Sequence, residues 1–365
     1  MKKYDVAAYV WPSYTGDEIR TRMFWPQGFG EWQTVMNTFK RYPEAGDSWP
    51  RRPLWGYQNE ADPYVMQMQI DAAVDHGVNV FIYDWYWYDR RPFLEQCLDN
   101  GFLKAKNNKK MKFYLMWANH NANSMWNKQI SDYADKNKEV IWKGSVDFAE
   151  FKRIVAYVIE NYFGIDNYYK INDCPVFMIY RLKELLEGFD GSIEKAAEAL
   201  RYFRDEVKKA GFPDLHLQVK QTRYTPVEGM SVDEVIKKLG FDSSTDYQFC
   251  DITKMNREYS DVVKDIEKEF ERLSALSTPY FPHVSVGWDK NPRYNEFFDC
   301  IVRNNTPEEV EKAFRMAKAY VDAHPDQAPL ITVNSLNEWT ETSYLEPDDL
   351  YGYGYLEAIK RVFCE

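Results

Sequence analysis

Short apolar runs alternate with longer amphipathic segments along all 365 residues, and this alternation limits the folds that the chain can adopt. Several of the runs are almost continuously apolar, as expected of parallel strands that are covered on both faces. The eight predicted strands are 6–10, 78–83, 112–117, 175–180, 215–219, 241–247, 283–286 and 329–333.

Helices are predicted between these strands. Asp62 and Pro63 supply a cap and a first-turn proline for one helix, which Gly77 ends. Apolar residues at helical spacing predict further helices at 148–162, 192–211, 263–273, from Thr306 onward, and at 354–363.

Strands that alternate with helices in this way predict an α/β protein, a single (β/α)8 TIM barrel with long βα loops that spans residues 1–365 as one domain. The alternative is an open, doubly wound sheet. That fold would need a glycine-rich first turn to hold a nucleotide, and residues 9–14 contain no such turn. The barrel is therefore the predicted fold.

Polar and aromatic residues follow every predicted strand, which is where the active residues of a (β/α)8 barrel lie. The loop at 12–61 is long and rich in Trp, Pro and Gly, which indicates a functional rim. The candidate substrate-binding residues at the strand ends are Tyr9, Trp11, Asp84, Trp85, Tyr86, Trp117, Asn119, Tyr180, Gln221, Asp246, Trp288, Asp289 and Arg293.

Two glutamates three residues apart, Glu338 and Glu341, follow the last apolar strand in the motif NEWTE. An isolated pair of this spacing is usually a solvated turn. Here an apolar strand leads directly into the motif, and more acidic and aromatic residues follow it. Carboxylates that share a pocket perturb each other's pKa, so that one donates a proton and the other acts as base or nucleophile. We expect both to face the barrel mouth near Trp85, Trp117 or Trp288, and the more buried one to be the acid.

The aromatic content is the most unusual feature of the composition. The chain has 12 Trp, 27 Tyr and 22 Phe, or 17% of its residues. Such side chains offer flat apolar faces with a polar handle, which suit the C–H faces and hydroxyls of pyranose rings. An aromatic-rich core is the other interpretation. Together with the paired glutamates, the aromatic residues favour an oligosaccharide or polysaccharide as substrate.

Other partners are disfavoured by charge and motif. A net charge of −11 argues against nucleic acid, and no apolar run is long enough to span a membrane. The five histidines have no metal-ligand spacing, so neither a metal nor another cofactor is expected. The five cysteines lack C-x-x-C spacing, and no apolar signal core follows the N-terminus; a cytoplasmic location is therefore expected, or a periplasmic one if a signal has been removed. Nothing indicates the oligomeric state.

Five ordered sequence blocks resemble the WbsX-type family, which carries a glycosyltransferase label and is related to glycoside hydrolase family 99, the endo-acting α-mannosidases and α-mannanases. They are GYQNEADP at 56–63, FIYDWYW at 81–87, WAN at 117–119, GWD with PR at 287–293, and NEWTE with LEPD at 337–348. These blocks add Glu60, Asn337 and Glu346 to the candidate substrate-binding residues.

The resemblance implies a (β/α)8 barrel, chemistry without a metal, and retention of anomeric configuration. It implies that Glu338 assists the substrate's own 2-hydroxyl in forming a 1,2-anhydro sugar, and that Glu341 is the general acid/base. Two positions depart from the family pattern: Thr342 follows the second glutamate where a small residue or Gly is usual, and Asp84 stands where relatives often have an aromatic residue. Both departures concern the choice of substrate.

Three functions remain open at this point. The first is a retaining glycoside hydrolase acting on α-mannoside-like glycans. The second is a glycosyltransferase of surface polysaccharide synthesis, for which the expected D-x-D motif is missing while Arg223 and Arg293 offer positive charge. The third is a carbohydrate-binding protein without turnover, against which the presence of both glutamates argues.

Overall fold

Eight parallel strands form the centre of the molecule in a computed structural model that describes residues 4–16, 18–38, 51–123, 126, 140–294 and 297–365. The strands pair in the order β7-β8-β1-β2-β3-β4-β5-β6. Their bounds are β1 Asp5–Val10, β2 Val80–Tyr88, β3 Lys112–Trp117, β4 Cys174–Ile179, β5 His216–Lys220, β6 Ser243–Thr245, β7 His283–Ser285 and β8 Leu330–Asn334.

The sheet curls until its two outer strands nearly meet. In β1, Ala7 pairs with Val80 of β2 on one side and with Thr332 of β8 on the other. At the remaining seam, the Ser244 N–H donates to the Pro279 carbonyl at 2.9 Å, and the Phe281 N–H donates to the Ser244 carbonyl at 2.8 Å. The result is a nearly closed barrel, so the predicted (β/α)8 fold is confirmed.

Helices surround this barrel and connect its strands. They are α1 Trp32–Met36, α2 Pro63–Asp75, α3 Phe148–Val158, α4 Leu182–Glu187, α5 Ile193–Lys209, α6 Val232–Leu239, α7 Tyr259–Ser274, α8 Pro307–Ala323 and α9 Gly354–Phe363. The predicted cap of α2 is confirmed, because the Asp62 carboxylate accepts from the Tyr64 N–H at 2.8 Å. Helix α6 was not predicted, although Ser231 and Glu234 form a reciprocal capping box at its start.

The barrel interior is polar as well as apolar, and many of its polar groups are paired. Thr245 and Thr332 share a hydrogen bond of 2.7 Å across the lumen, and the Tyr114 hydroxyl donates to Gln218 at 3.0 Å. Burial lowers the pKa of His283 to about 3, so its ring is neutral and bonds to Thr332 and Ser285. In the part of the chain that the structure describes, no helix is long and apolar enough to cross a membrane.

Candidate active site

A small hairpin at the end of β8 positions the two glutamates. Asn337–Glu338 pairs antiparallel with Ser343–Tyr344, and one helical turn, Trp339–Glu341, lies between them. The Glu338 N–H is held by the Ser335 hydroxyl at 2.7 Å. Thr342 closes the turn with a left-handed backbone (φ 53°), a conformation that favours glycine and that gives a backbone reason for the small residue usual at this position in relatives.

A single guanidinium joins three carboxylates around this hairpin, two of them buried and one partly exposed. Arg293, on the turn after β7, donates from Nη2 to Glu338 at 2.7 Å, from Nη1 to Glu341 at 2.8 Å and from Nε to Glu31 at 3.0 Å. The side chains of Glu31, Glu338 and Glu341 are 0%, 3% and 15% exposed. These four residues are called the clamped cluster below.

Glu31 is the member of the clamped cluster that the sequence interpretation missed. It immediately precedes α1 within the long loop after β1, and it also accepts from the Trp11 indole N–H and from the Ser13 hydroxyl, the latter at 3.2 Å. No periodicity or motif marks this position. The one available signal was an acidic residue within an aromatic-rich loop.

Burial and like charge raise the proton affinity of the pair. Burial raises the pKa of Glu338 well above its usual range and the charge of Glu341 raises it further, while Arg293 opposes both effects. Burial also raises the pKa of Glu341, again opposed by Arg293. Because the two carboxyls interact this closely, they titrate as a unit, and a state with one shared proton offers both an acid and a base.

A cavity of about 420 Å³ opens in front of the pair. Eight of the predicted site residues line it: Trp11, Asp84, Tyr86, Tyr180, Trp288, Arg293, Glu338 and Glu341. The structure adds further lining residues, among them His120, Trp126, Arg181, Tyr247, Asp251, Lys290 and Tyr294.

Tyr247 and His120 add polar groups to the wall of the cavity. The Tyr247 hydroxyl donates to Asp84 at 2.8 Å and lies 3.4 Å from Glu338. Burial raises the pKa of Asp84 well above its usual range and lowers that of His120 to about 4. Among the described residues, no group of three or more His, Cys, Asp or Glu side chains is arranged to hold a metal ion.

Two predicted tryptophans lie on the outside of the barrel instead of in the cavity. Trp85 packs on Tyr157 of α3 with ring centroids 6.1 Å apart, and Trp117 packs on Phe151 of the same helix at 6.0 Å. Side chains alternate along a strand, so Asp84 and Tyr86 face inward while Trp85 between them faces the helices. Of the three tryptophans expected near the glutamates, Trp288 alone lines the cavity.

The other predicted residues near the lumen lie behind the cavity wall and bond to protein groups. The Tyr9 hydroxyl donates to the Asp246 carbonyl at 2.9 Å, and Gln221 donates to Ser244 at 2.9 Å. Asp246 pairs with Arg223 at 2.9 Å, and Asp289 accepts from the Asn291 side chain at 2.7 Å. Asn119 bonds to both the N–H and the carbonyl of Arg181, at 2.7 and 2.9 Å.

Beneath the hairpin lies a second group of buried acids, the bridged cluster, made of Glu60, Gln69, Asn337, Trp339 and Glu346. The Asn337 amide donates to both oxygens of Glu60 at 3.0 and 2.9 Å, and Gln69 joins Glu60 to Glu346 at 3.0 and 2.6 Å. The Trp339 indole donates to Glu346 at 2.6 Å. These hydrogen bonds support the hairpin. Burial raises the pKa of Glu346 to about 7 and that of Glu60 well above its usual range, so both acids keep their protons to a higher pH than an ordinary glutamate.

The family profile described as Glycosyltransferase WbsX matches residues 6–359. The chain belongs to the WbsX family. This confirms the resemblance drawn from the sequence blocks. A relative, the uncharacterized protein WxcX of Xanthomonas campestris pv. campestris, is 23% identical over 351 residues, which cover 93% of this chain and 46% of that protein. The chain thus spans about half the length of the curated relatives it matches.

Two solved structures share the fold of this WbsX family member. A glycoside hydrolase-like protein superposes with a TM-score of 0.62 at 14% identity, covering 100% of this chain and 94% of the other. The GH99 endo-alpha-mannosidase from Bacteroides thetaiotaomicron superposes with a TM-score of 0.59 at 13% identity, covering 98% and 95%. At these identities, the likeness shows the barrel fold.

Proposed function

We propose that this WbsX family member is a retaining glycoside hydrolase that acts on α-mannoside-like glycans through assistance by the substrate's own 2-hydroxyl. The observation that carries the proposal is the clamped cluster, in which Arg293 holds Glu338 and Glu341 together on the wall of an aromatic-lined cavity. A fold shared with an endo-alpha-mannosidase supports the substrate class.

The geometry of the clamp leaves Oε2 of each glutamate without a contact to Arg293, although Oε2 of Glu338 also lies 3.4 Å from the Tyr247 hydroxyl. Arg293 contacts Oε1 of both Glu338 and Glu341. In the proposed reaction, Glu341 protonates the leaving oxygen as its bond to C1 breaks, while Glu338 removes the 2-hydroxyl proton and O2 bonds to C1. Water then attacks C1 as the C1–O2 bond breaks, gives a proton to Glu341, and Glu338 returns its proton to O2.

The burial of the two glutamates does not by itself identify the acid. Glu338 is the more buried and its pKa is the more strongly raised, so burial alone would make it the proton donor. We instead assign Glu338 as the base, because a raised pKa makes its ionised form strong enough to act on a hydroxyl. Glu341, at 15% exposure, is the one accessible to the leaving group and to water.

The Glu341→Gln variant tests the acid role. It keeps the shape of the side chain and removes its proton, so turnover should fall by about 10²–10⁴-fold while glycan affinity is retained. The loss should shrink for a substrate with an activated leaving group, measured by release of reducing sugar. Glu198→Gln, at an exposed position on α5, is the matched control and should leave turnover unchanged.

The Glu338→Gln variant tests the base role. It should reduce turnover whatever the leaving group, and a 2-deoxy substrate should be inert. Normal turnover of a 2-deoxy substrate would show that Glu338 is a direct nucleophile instead. If neither glutamate variant alters any glycan reaction, the protein is a carbohydrate-binding protein or a transferase whose chemistry lies elsewhere.

Glycosyl transfer is the second candidate, and the family description together with the cavity cation Arg181 favours it. A transferase must hold the diphosphate of an activated sugar, and an arginine can bind phosphate in a bidentate manner. Incubation with nucleotide-activated mannose and an acceptor glycan separates the two activities. Nucleotide release that depends on the acceptor would favour transfer over hydrolysis.

A further inference from the structure

A small side pocket opens beside the main cavity, and the two share Tyr180, Arg181 and Asp251. Its volume is about 80 Å³, and its walls come from the segments that follow β4 and β5 together with Asp251 after β6. Binding cavities for whole small-molecule ligands usually measure about 300 Å³ or more. A pocket of this size therefore suits one substituent of a larger ligand that lies in the main cavity.

The side pocket carries more positive charge than its acids balance. Its cations are Arg181, Lys183, Lys220 and Arg223, and its acid is Asp251. Lys220 pairs with Asp251 at 2.7 Å, and Arg223 pairs outside the pocket with acids at 2.8–2.9 Å. Within the described chain, neither Arg181 nor Lys183 has a carboxylate within 4.0 Å, so two positive charges remain without a contacting carboxylate, and the charges of Glu184 and Asp251 act on Arg181 only from farther away.

Arg181 is held in place and has a hydrogen-bond donor available for a ligand. Its guanidinium lies 5.3 Å from the centre of the Tyr180 ring, and its main chain is fixed on both sides by Asn119. Its Nε–H is buried and has no hydrogen-bond acceptor. A buried donor without an acceptor is costly, and a ligand oxygen at this position would remove that cost.

Resting on the proposed hydrolase function, we infer that the side pocket binds an anionic substituent of the glycan, a carboxylate or a sulfate ester, on a sugar next to the cleaved linkage. A guanidinium with free N–H groups matches the planar or tetrahedral oxygens of such a group. Of the other cations that line the main cavity, Arg293 is already bound to three glutamates, and Lys290 lies 4.5 Å from the centre of the Phe298 ring. The inferred substrate is thus an acidic α-mannoside-like glycan.

Binding of three matched oligosaccharides to the Glu341→Gln protein tests this inference by calorimetric titration. The probes are a neutral α-mannose oligosaccharide, the same chain with one sulfate ester, and the same chain with one uronic acid residue. At least one acidic probe should bind about tenfold more tightly than the neutral one, as expected of a charge-assisted hydrogen bond. When Arg181→Gln is introduced into the Glu341→Gln protein, the ratio of acidic to neutral affinity should fall to about one. Lys183→Gln in the same protein should reduce this ratio partly.

Arg201→Gln, at an exposed position on α5, is the matched control and should keep the full ratio. Equal affinity for the three probes, binding of none of them, or a ratio that survives Arg181→Gln would each overturn the inference. If wild-type protein still released reducing sugar from the neutral chain, the hydrolase proposal would stand without the side-pocket inference. Binding of uridine or guanosine diphosphate that depends on Arg181, with no preference for acidic glycans, would overturn both.

Discussion

Two clusters of glutamates flank the same short strand, Asn337–Glu338. The groups that offset the negative charge of the carboxylates differ between the two clusters. In the clamped cluster, a guanidinium compensates Glu31, Glu338 and Glu341 and touches all three. In the bridged cluster, the donors around Glu60 and Glu346 are amides, an indole and the Cys97 thiol, and no ion pair to either acid is found among the described residues.

The difference shows how the groups around a glutamate decide whether its charged or its protonated form is favoured. A cation next to a carboxylate favours its charged form, and burial with neutral donors leaves the protonated form favoured. In the clamped cluster, Arg293 opposes but does not cancel the rise in pKa that burial causes at Glu338 and Glu341, so a positive charge stays beside these acids at the cavity. The bridged cluster holds protons beneath the hairpin, where it joins the loop after β1 to the loop after β8.

The largest effect is expected from Arg293→Gln, which removes the compensating cation. Three carboxylates, two of them buried, then lose their partner, so the free energy of unfolding near neutral pH should fall by about 3–5 kcal/mol and turnover should largely disappear. Because the freed carboxyls can take up protons, the stability loss should be smaller at acidic pH. Urea unfolding at two pH values measures both effects.

Arg51→Gln is the control for Arg293, because Arg51 is a buried arginine paired with Asp348 at 3.5 Å and lies outside the cavity lining. It should cost stability but leave the turnover of the folded fraction unchanged. Full activity in folded Arg293→Gln would show that the clamp is a purely structural ion pair.

A smaller effect is expected from Glu31→Gln, which leaves the cation and removes the acid that positions it. The charge of Glu31 raises the pKa of both Glu338 and Glu341, so its removal should shift the pH–rate profile toward lower pH. Turnover should fall by up to about 10²-fold because Arg293 loses its Nε partner. Glu18→Gln, in the same loop but paired with Arg20, should leave the profile in place. An unmoved profile in Glu31→Gln would show that the charge of Glu31 does not act on the pair.

The smallest effect on turnover is expected from Glu346→Gln, which tests the bridged cluster through stability. The pKa of Glu346 rises from the ordinary 4.5 in the unfolded chain to about 7 in the fold, so the folded state binds the extra proton between these values. The contribution of Glu346 to wild-type stability should then fall as pH rises through that window, by roughly 3 kcal/mol. The Gln side chain resembles the neutral acid, so the Glu346→Gln protein should lose less folding stability than the wild type as pH rises over the same range.

Thermal or urea unfolding at pH 4.5 and pH 8 measures this difference, with the exposed Glu198→Gln as control. If wild type and Glu346→Gln lose the same stability across the window, Glu346 is already ionised in the fold and the contrast between the two clusters fails.

Most of the fold could be predicted because strands and helices are marked by local patterns. All eight barrel strands were located from apolar runs, and helices such as α2 and α9 from caps and helical periodicity. Helix α6 was missed although its capping box, Ser231 to Glu234, is visible in the sequence, because the segment is short and half charged. The inward and outward sides of β2 could also have been separated, since strict alternation places Asp84 and Trp85 on opposite faces.

The sequence by itself determined the barrel and the pair Glu338 and Glu341, because strand order and a three-residue spacing are local properties of the chain. Only the tertiary structure decided which side chains meet that pair. Glu31 and Arg293 lie 262 positions apart and come together because two long loops fold over the same end of the barrel. The same holds for where charged groups lie in the clamped cluster, the bridged cluster and the side pocket. Their positions depend on packing among loops, which no local periodicity encodes.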